Sequence, residues 1–206
     1  AGFRCIKLKI GAIDFEKELE LLRFIRQNFT PEQVEIRVDA NGAFSLDTAL
    51  DKLNQLSEFK LHSIEQPIAI NNTDSMSYLS KNTPFPIALD EELIGVFSLQ
   101  EKEALLLKIK PQYIILKPSF IGGFRGTKEW ISLAKKHQIG WWITSALESN
   151  IGLNAIAQWI FLQQNPMPQG LGTGALYTNN IDCPLTVSKG QLWYREDLAW
   201  NTIPFL

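Results

Sequence analysis

Six charged residues stand out by type and spacing. The run CIKLKIG carries Lys7 and Lys9 one residue apart; acids follow at Asp39 in EIRVDANG, Glu65 in HSIEQP and Asp90 in IALDEE, and Lys117 comes next in IILKP. A strand turns successive side chains to opposite faces, so Lys7 and Lys9 share one face while Ile6, Leu8 and Ile10 share the other. Two ammonium groups on one face of an apolar strand repel each other, and the arrangement needs a reason. A plain one is an exposed edge strand kept soluble by its lysines. A chemical one starts from the fact that an ordinary lysine keeps its proton to about pH 10.4, so presenting a neutral amine at pH 7 costs about 4 to 5 kcal/mol. A second cation two residues away lowers that cost, which makes Lys7 the neighbour that turns Lys9 into a base.

The acids carry the complementary argument. Each lies at the end of a short β-branched run, and carboxylates brought together there repel one another unless a cation lies between them. Oxygen donors without His or Cys point to Mg2+, with Mn2+ as the alternative ion. Taken singly, each acid could equally cap the helix that follows its strand.

The elements that must hold these residues follow from hydrophobic period. Strands are expected at Cys5–Ile10, Val34–Val38, Leu61–Glu65, Pro86–Asp90, Tyr113–Lys117, Gly140–Thr144 and, more weakly, near Gln169–Gly172. Helical stretches are expected at Phe15–Phe29, Leu46–Phe59, Thr73–Ser80, Leu99–Lys108, Thr127–His137 and Ile151–Gln163, with a capping box at Ser98–Glu101. Strand–helix alternation predicts a parallel sheet. Lys9, Asp39, Glu65, Asp90 and Lys117 recur at intervals of 30, 26, 25 and 27 residues, about one βα unit each. That even spacing favours an α/β barrel over a doubly wound sheet and puts chemistry at the C-terminal ends of its strands. Seven strands are visible where a barrel has eight. After Leu176 the pattern changes to a hairpin turning at Lys189-Gly190. The expected division is a partial barrel over 1–176, comprising strands two to eight, and a C-terminal hairpin and tail over 177–206 that packs near an absent capping domain.

Composition excludes several classes of function. The chain has 206 residues, 45% hydrophobic content and a net charge of −2. It offers no basic surface for nucleic acid and no run long enough to span a bilayer. Cys5 and Cys183 read as reduced thiols, suiting a cytoplasmic protein rather than a disulfide framework. No partner other than a small molecule is indicated.

Taken together, KxK at Lys7-Leu8-Lys9, DAN at Asp39, EQP at Glu65, DE at Asp90, and KP at Lys117 followed by Ile121-Gly122-Gly123 resemble the enolase superfamily and, within it, the muconate-lactonizing subgroup. The resemblance implies a (β/α) TIM-type barrel, incomplete here, whose small-molecule carboxylate substrate binds Mg2+ held by Asp39, Glu65 and Asp90. It implies that Lys9 removes the α-proton and that the metal and Lys117 hold the resulting enediolate. His62 and His137 are not placed for the histidine base of other branches.

Within the subgroup, the segment 169–174 lacks the acids with which dipeptide epimerases bind an ammonium group. Gly172 and Gly174 would instead leave backbone N–H groups open to an anion, or simply form a tight turn. GLGTGALYTNNI and ITSALESNIG most resemble the ortho-succinylbenzoate synthases, lyases that dehydrate 2-succinyl-6-hydroxy-2,4-cyclohexadiene-1-carboxylate to 2-succinylbenzoate in menaquinone biosynthesis. N-succinylamino acid racemase, another epimerase or a cycloisomerase are the alternatives within enzymes; a non-catalytic Mg2+-binding barrel is the alternative outside them. Arg37 is read as a partner below the metal or as a plain buried ion pair, and Asn41 as orienting Asp39 or touching substrate. Ser145 and Glu148 are read as pocket-lining, with Glu148 alternatively a helix N-terminal charge. Glu91 is expected to face away from Asp90. The family also carries a first barrel strand and an N-terminal capping domain with no counterpart in residues 1–206, so this chain alone is expected to turn over poorly.

Overall fold

The computed structural model describes residues 2–172 and 177–200. Six strands, β1 (Cys5–Lys9), β2 (Glu35–Asp39), β3 (Ser63–Glu65), β4 (Ile87–Leu89), β5 (Tyr113–Leu116) and β6 (Gly140–Ile143), form one sheet in chain order, every neighbouring pair parallel. Sequential order of this kind is that of a barrel wall, since a doubly wound sheet would reverse direction partway. A seventh strand at 169–172 does not form. The segment makes a single parallel bridge, Thr144 to Gly170, fixed by Gly170 N–H to Ile143 O at 2.9 Å and Ser145 N–H to Gly170 O at 3.1 Å.

The crossovers are α1 (Phe15–Asn28), α2 (Ala49–Leu56), α3 (Thr73–Asn82), α4 (Leu99–Ile109), α5 (Gly123–Lys136) and α6 (Asn150–Phe161). The capping box at α4 is present: Glu101 N–H donates to Ser98 Oγ at 3.2 Å, and the Ser98 hydroxyl donates to Glu101 Oε2 at 2.7 Å. Two helix starts differ from the periodic reading. Hydroxyls of Ser45 and Thr48 pair at 2.7 Å in a turn, which delays α2 to Ala49. Conversely α5 begins at Gly123, four residues before the expected Thr127. A side chain at Gly126 would meet Ile121 O at 2.1 Å, so glycine there serves close packing inside a helix rather than marking a turn.

Alternation sorts the two faces of the sheet. Ile36, Val38, Ile64, Ile87, Leu89, Ile114, Leu116, Trp141 and Ile143 pack against Leu22, Leu53, Leu56, Met76, Leu106 and Trp130 of the helices in one core. A side chain of this size, fully buried, contributes about 1.5 to 3 kcal/mol. The opposite face carries Lys7, Lys9, Glu35, Arg37, Asp39, Glu65, Tyr113 and Trp142, with a small apolar cluster of Ala88, Ile115 and Trp142. The tandem Trp141-Trp142 is thus split between faces, and only Trp141 is a helix-packing residue. Beyond α6, β7 (Leu185–Ser188) and β8 (Gln191–Tyr194) form an antiparallel hairpin whose turn residues Lys189 and Gly190 both have positive φ. That turn lies against Gly2 and Phe3, just ahead of β1.

On the site-bearing face Gly140 pairs with Tyr113, whose ring centre lies 4.8 Å from that of His62 in a tilted arrangement, and a Cβ at Gly140 would fall 2.3 Å from the Tyr113 ring. Gly140→Ala should therefore lower unfolding free energy by about 1 to 3 kcal/mol through overpacking, measured as a shifted urea midpoint; an unchanged midpoint contradicts the packing described.

Candidate active site

In-register pairing places Lys9 beside Asp39 and Asp39 beside Glu65, so the period-two face of each strand delivers one functional group to a common rim. β4 ends one residue before Asp90 and β5 one before Lys117, which puts both at the same ends of their strands. All three acids are buried, Asp39 and Asp90 at 1% exposure and Glu65 at 2%.

Lysines compensate their charge. Lys7 Nζ bridges Asp39 Oδ2 at 2.9 Å and Glu65 Oε2 at 3.1 Å, and Lys9 Nζ reaches Asp39 Oδ2 at 3.0 Å. Lys117 Nζ pairs with Asp90 Oδ2 and lies 4.0 Å from Glu65 Oε1. The sequence-level roles separate here. Burial works against charge on Lys7, but Glu65 and Asp39 outweigh it and hold its pKa above the ordinary lysine value. Lys7 is therefore a fixed cation in the wall, while the Lys9 side chain is 65% exposed at the rim.

The acids differ in the same way. Burial disfavours charge on Asp39 too, yet its contacts with Lys7 and Lys9 prevail and keep the carboxyl below the usual range. At Glu65 burial wins: with the adjacent Asp90 carboxyl it pushes the pKa up to about 8, and the bridging Lys7 opposes this only in part. Glu65 Oε1 is also buried with no hydrogen-bond donor among the described residues. Three buried carboxylates with one unpartnered oxygen are a hard-oxygen donor set whose chemistry fits a divalent ion such as Mg2+. As the side chains stand, ammonium groups are drawn onto these oxygens, and no three His, Cys, Asp or Glu among the described residues close into a metal-holding cluster.

Gln66 and Glu91 belong to the site although neither was singled out for it. Gln66, buried with φ 41°, accepts from the N–H groups of Asp90 and Glu92 at 3.4 Å and donates to Ile68 O at 3.0 Å, tying the end of β3 to that of β4. Glu91 does not face away as expected. The strand stops before Asp90, and a 3-10 turn over Glu91–Leu93 swings Glu91 toward Asn41, whose Nδ2 donates to it at 2.7 Å. The adjacent acids in LDEE were the available signal, but only the end of the strand decides which way the second one turns.

The remaining expected residues divide. Asn41 is at the centre: its backbone N–H donates to Asp39 Oδ1 at 3.1 Å and its Oδ1 accepts from Lys9 Nζ. Arg37 is the ion pair, not a partner of Asp39; it binds Glu35 at 2.7 Å and Pro168 O at 3.1 Å, and lies 4.1 Å over the Trp142 ring. Ser145 Oγ accepts from Gly172 N–H at 2.9 Å, joining two of the predicted residues. Glu148 accepts from Ser119 Oγ at 2.7 Å and Ala146 N–H at 3.1 Å, tying the loop after Lys117 to the loop before α6. No hydrogen bond among the described residues joins Ser145, Gly172 or Glu148 to the acids, and Gly174 lies outside the described residues. His137 pairs with Glu103 and His62 contacts Ser63 and Tyr113, both away from the rim.

Known proteins resemble this chain in sequence and fold. Residues 1–196 match the enolase C-terminal domain-like family. The chain is 59% identical to o-succinylbenzoate synthase of Desulfotalea psychrophila over 191 residues, 93% of this chain and 52% of that protein. It is 33% identical to N-succinylamino acid racemase of Thermus thermophilus over 152 residues, 73% of this chain and 38% of that one. The crystal structure of MenC from Desulfotalea psychrophila superposes with a TM-score of 0.89 at 57% identity, over 93% of this chain and 52% of that one. The chain thus spans about half the length, or less, of these relatives.

The raised Glu65 carboxyl makes stability depend on pH. Between about 4.5 and about 8 the unfolded chain has released this proton while the folded site retains it, so Glu65's contribution falls as pH rises through that window and levels off above it. In chelator-treated protein, Glu65→Gln should flatten this decline in the urea midpoint; parallel wild-type and variant curves contradict it.

Proposed function

Since the chain belongs to the enolase C-terminal domain-like family, we propose that it is the catalytic barrel part of an o-succinylbenzoate synthase, a cytoplasmic lyase of menaquinone biosynthesis. Its substrate is 2-succinyl-6-hydroxy-2,4-cyclohexadiene-1-carboxylate and its product 2-succinylbenzoate. The observation that carries this reading is that two amines reach one carboxylate trio from opposite sides, Lys9 on Asp39 and Lys117 on Asp90, with Glu65 between. The division into barrel, 1–176, and tail, 177–206, belongs to the same reading. Among the described residues no helix is long and apolar enough to cross a membrane, and both cysteines are free, which supports the cytoplasm.

Asp39, Glu65 and Asp90 would hold Mg2+, or Mn2+ in its place. When bound, the ion would supply positive charge where the substrate carboxylate gains negative charge. Lys9, in its neutral form, takes the α-proton; the C–H pair moves into the carboxylate as an enediolate. Collapse of that pair forms the new ring double bond and expels the β-hydroxyl, which leaves as water with the proton from Lys9. Lys117 keeps its proton and stabilises the enediolate from the other side. Lys7 stays charged in the wall, held so by Glu65 and Asp39. Ser145, Gly172, Gly174 and Glu148 are assigned to the part of the pocket beyond the reacting carbon.

Lys9→Ala should reduce kcat for dehydration by about 10² to 10⁴ in the complete enzyme, with little change in melting temperature. Dehydration that survives intact rules out Lys9 as the base; a complete protein that neither dehydrates nor exchanges an α-proton leaves the non-catalytic barrel as the remaining reading. The similarity to N-succinylamino acid racemase favours a second activity on the same lysines. In heavy water it predicts deuterium entering the α-carbon of N-succinylamino acids, followed by proton NMR; absence of exchange beside strong dehydration confines the site to the synthase reaction.

A further inference from the structure

Building on the reading of Lys9 as the base, we propose that Glu91 is a positioning residue that acts on Lys9 through Asn41. Lys9 Nζ has two acceptors, Asp39 Oδ2 at 3.0 Å and Asn41 Oδ1. An ammonium has three N–H groups, but a neutral amine has two and a lone pair. Two fixed acceptors take those two N–H groups, and the third tetrahedral position is left for the proton in transfer.

That arrangement holds only while Asn41 presents oxygen to the amine. The carboxamide has a donor end and an acceptor end, and a half-turn exchanges them. Against an ammonium the half-turn is self-correcting, because two donors would meet. Against a neutral amine it is not: Asn41 Nδ2 could then donate into the lone pair of Lys9 and occupy the position the substrate proton must take. Something other than Lys9 has to hold the amide in its working orientation during the very state in which the base acts.

Glu91 does this. Its Oε1 accepts from Asn41 Nδ2 at 2.7 Å, and a half-turn would place amide oxygen against carboxylate. Glu91 Oε2 is buried with no hydrogen-bond partner among the described residues, so the bond to Asn41 is the one this side chain makes there. The backbone fixes the other end. Asn41 sits at φ 42°, and its N–H donates to Asp39 Oδ1 at 3.1 Å, so the amide swings on a stem anchored to Asp39.

The test uses the complete Mg2+-loaded enzyme with Glu91→Gln, which keeps an acceptor oxygen, and Glu91→Leu, which does not. E91L should lower kcat about ten- to a hundredfold with KM within about threefold, and E91Q should recover most of that loss. The double variant E91L/N41A should be no slower than N41A, because without the amide there is nothing to misorient. Independently of turnover, the Asn41 side-chain amide resonances should move in E91L and stay near their wild-type positions in E91Q. A wild-type enzyme without dehydration activity overturns the proposed reaction on which this role rests. An active wild-type enzyme overturns the role of Glu91 if E91L and E91Q lose equally, if the loss falls on KM, if E91L/N41A is slower than N41A, or if the amide resonances do not move.

Discussion

Mutual repulsion among buried carboxylates is the constraint on which the rest depends. Asp39, Glu65 and Asp90 end three adjacent parallel strands almost wholly out of water, and such groups keep their charge only beside compensating cations. The chain supplies these in graded form. Lys7 is committed to two acids at once and remains charged; Lys117 is committed mainly to Asp90; Lys9 shares an oxygen with Lys7, also donates to Asn41 and lies largely exposed at the rim. The acids respond unequally: Asp39, touched by two amines, is held ionised, whereas Glu65 retains its proton to about 8. One rim thus carries groups poised to give, to take and to hold still.

The scaffold needs only a simple rule to build this. Parallel strands in sequential register stack their alternate residues in rows, so a residue type repeated once per βα unit becomes a wall of that type. The apolar residues of the other face bury against six helices and anchor the rows. Chemistry and stability therefore occupy opposite faces of the same strands, and substitutions on the site face can alter charge without opening the core.

Much of this was legible in the sequence because it is periodic. Six strands, six helices, the shared face of Lys7 and Lys9 and the phase of the three acids all follow from period two, period 3.6 and the length of a βα unit. What was not legible depends on where regular structure stops. Glu91 joins the site because β4 ends before Asp90, α5 begins early because Gly126 packs against a carbonyl, and 169–172 makes one bridge instead of a strand. Arg37 was ambiguous because it shares a face with both Glu35 and Asp39, and side-chain reach resolves it toward Glu35 and the Trp142 ring.

The strand that bears both amines of the KxK pair is the outermost of its sheet, and among the described residues β2 alone is its ladder partner. A slip of β1 by a single position would turn Ile6, Leu8 and Ile10 toward the acids and Lys7 and Lys9 toward the helices. Ile10 and Leu8 oppose this, one buried and the other half-buried against the core. These greasy residues, which touch no reacting atom, therefore act as a ratchet that keeps the amines facing the acids.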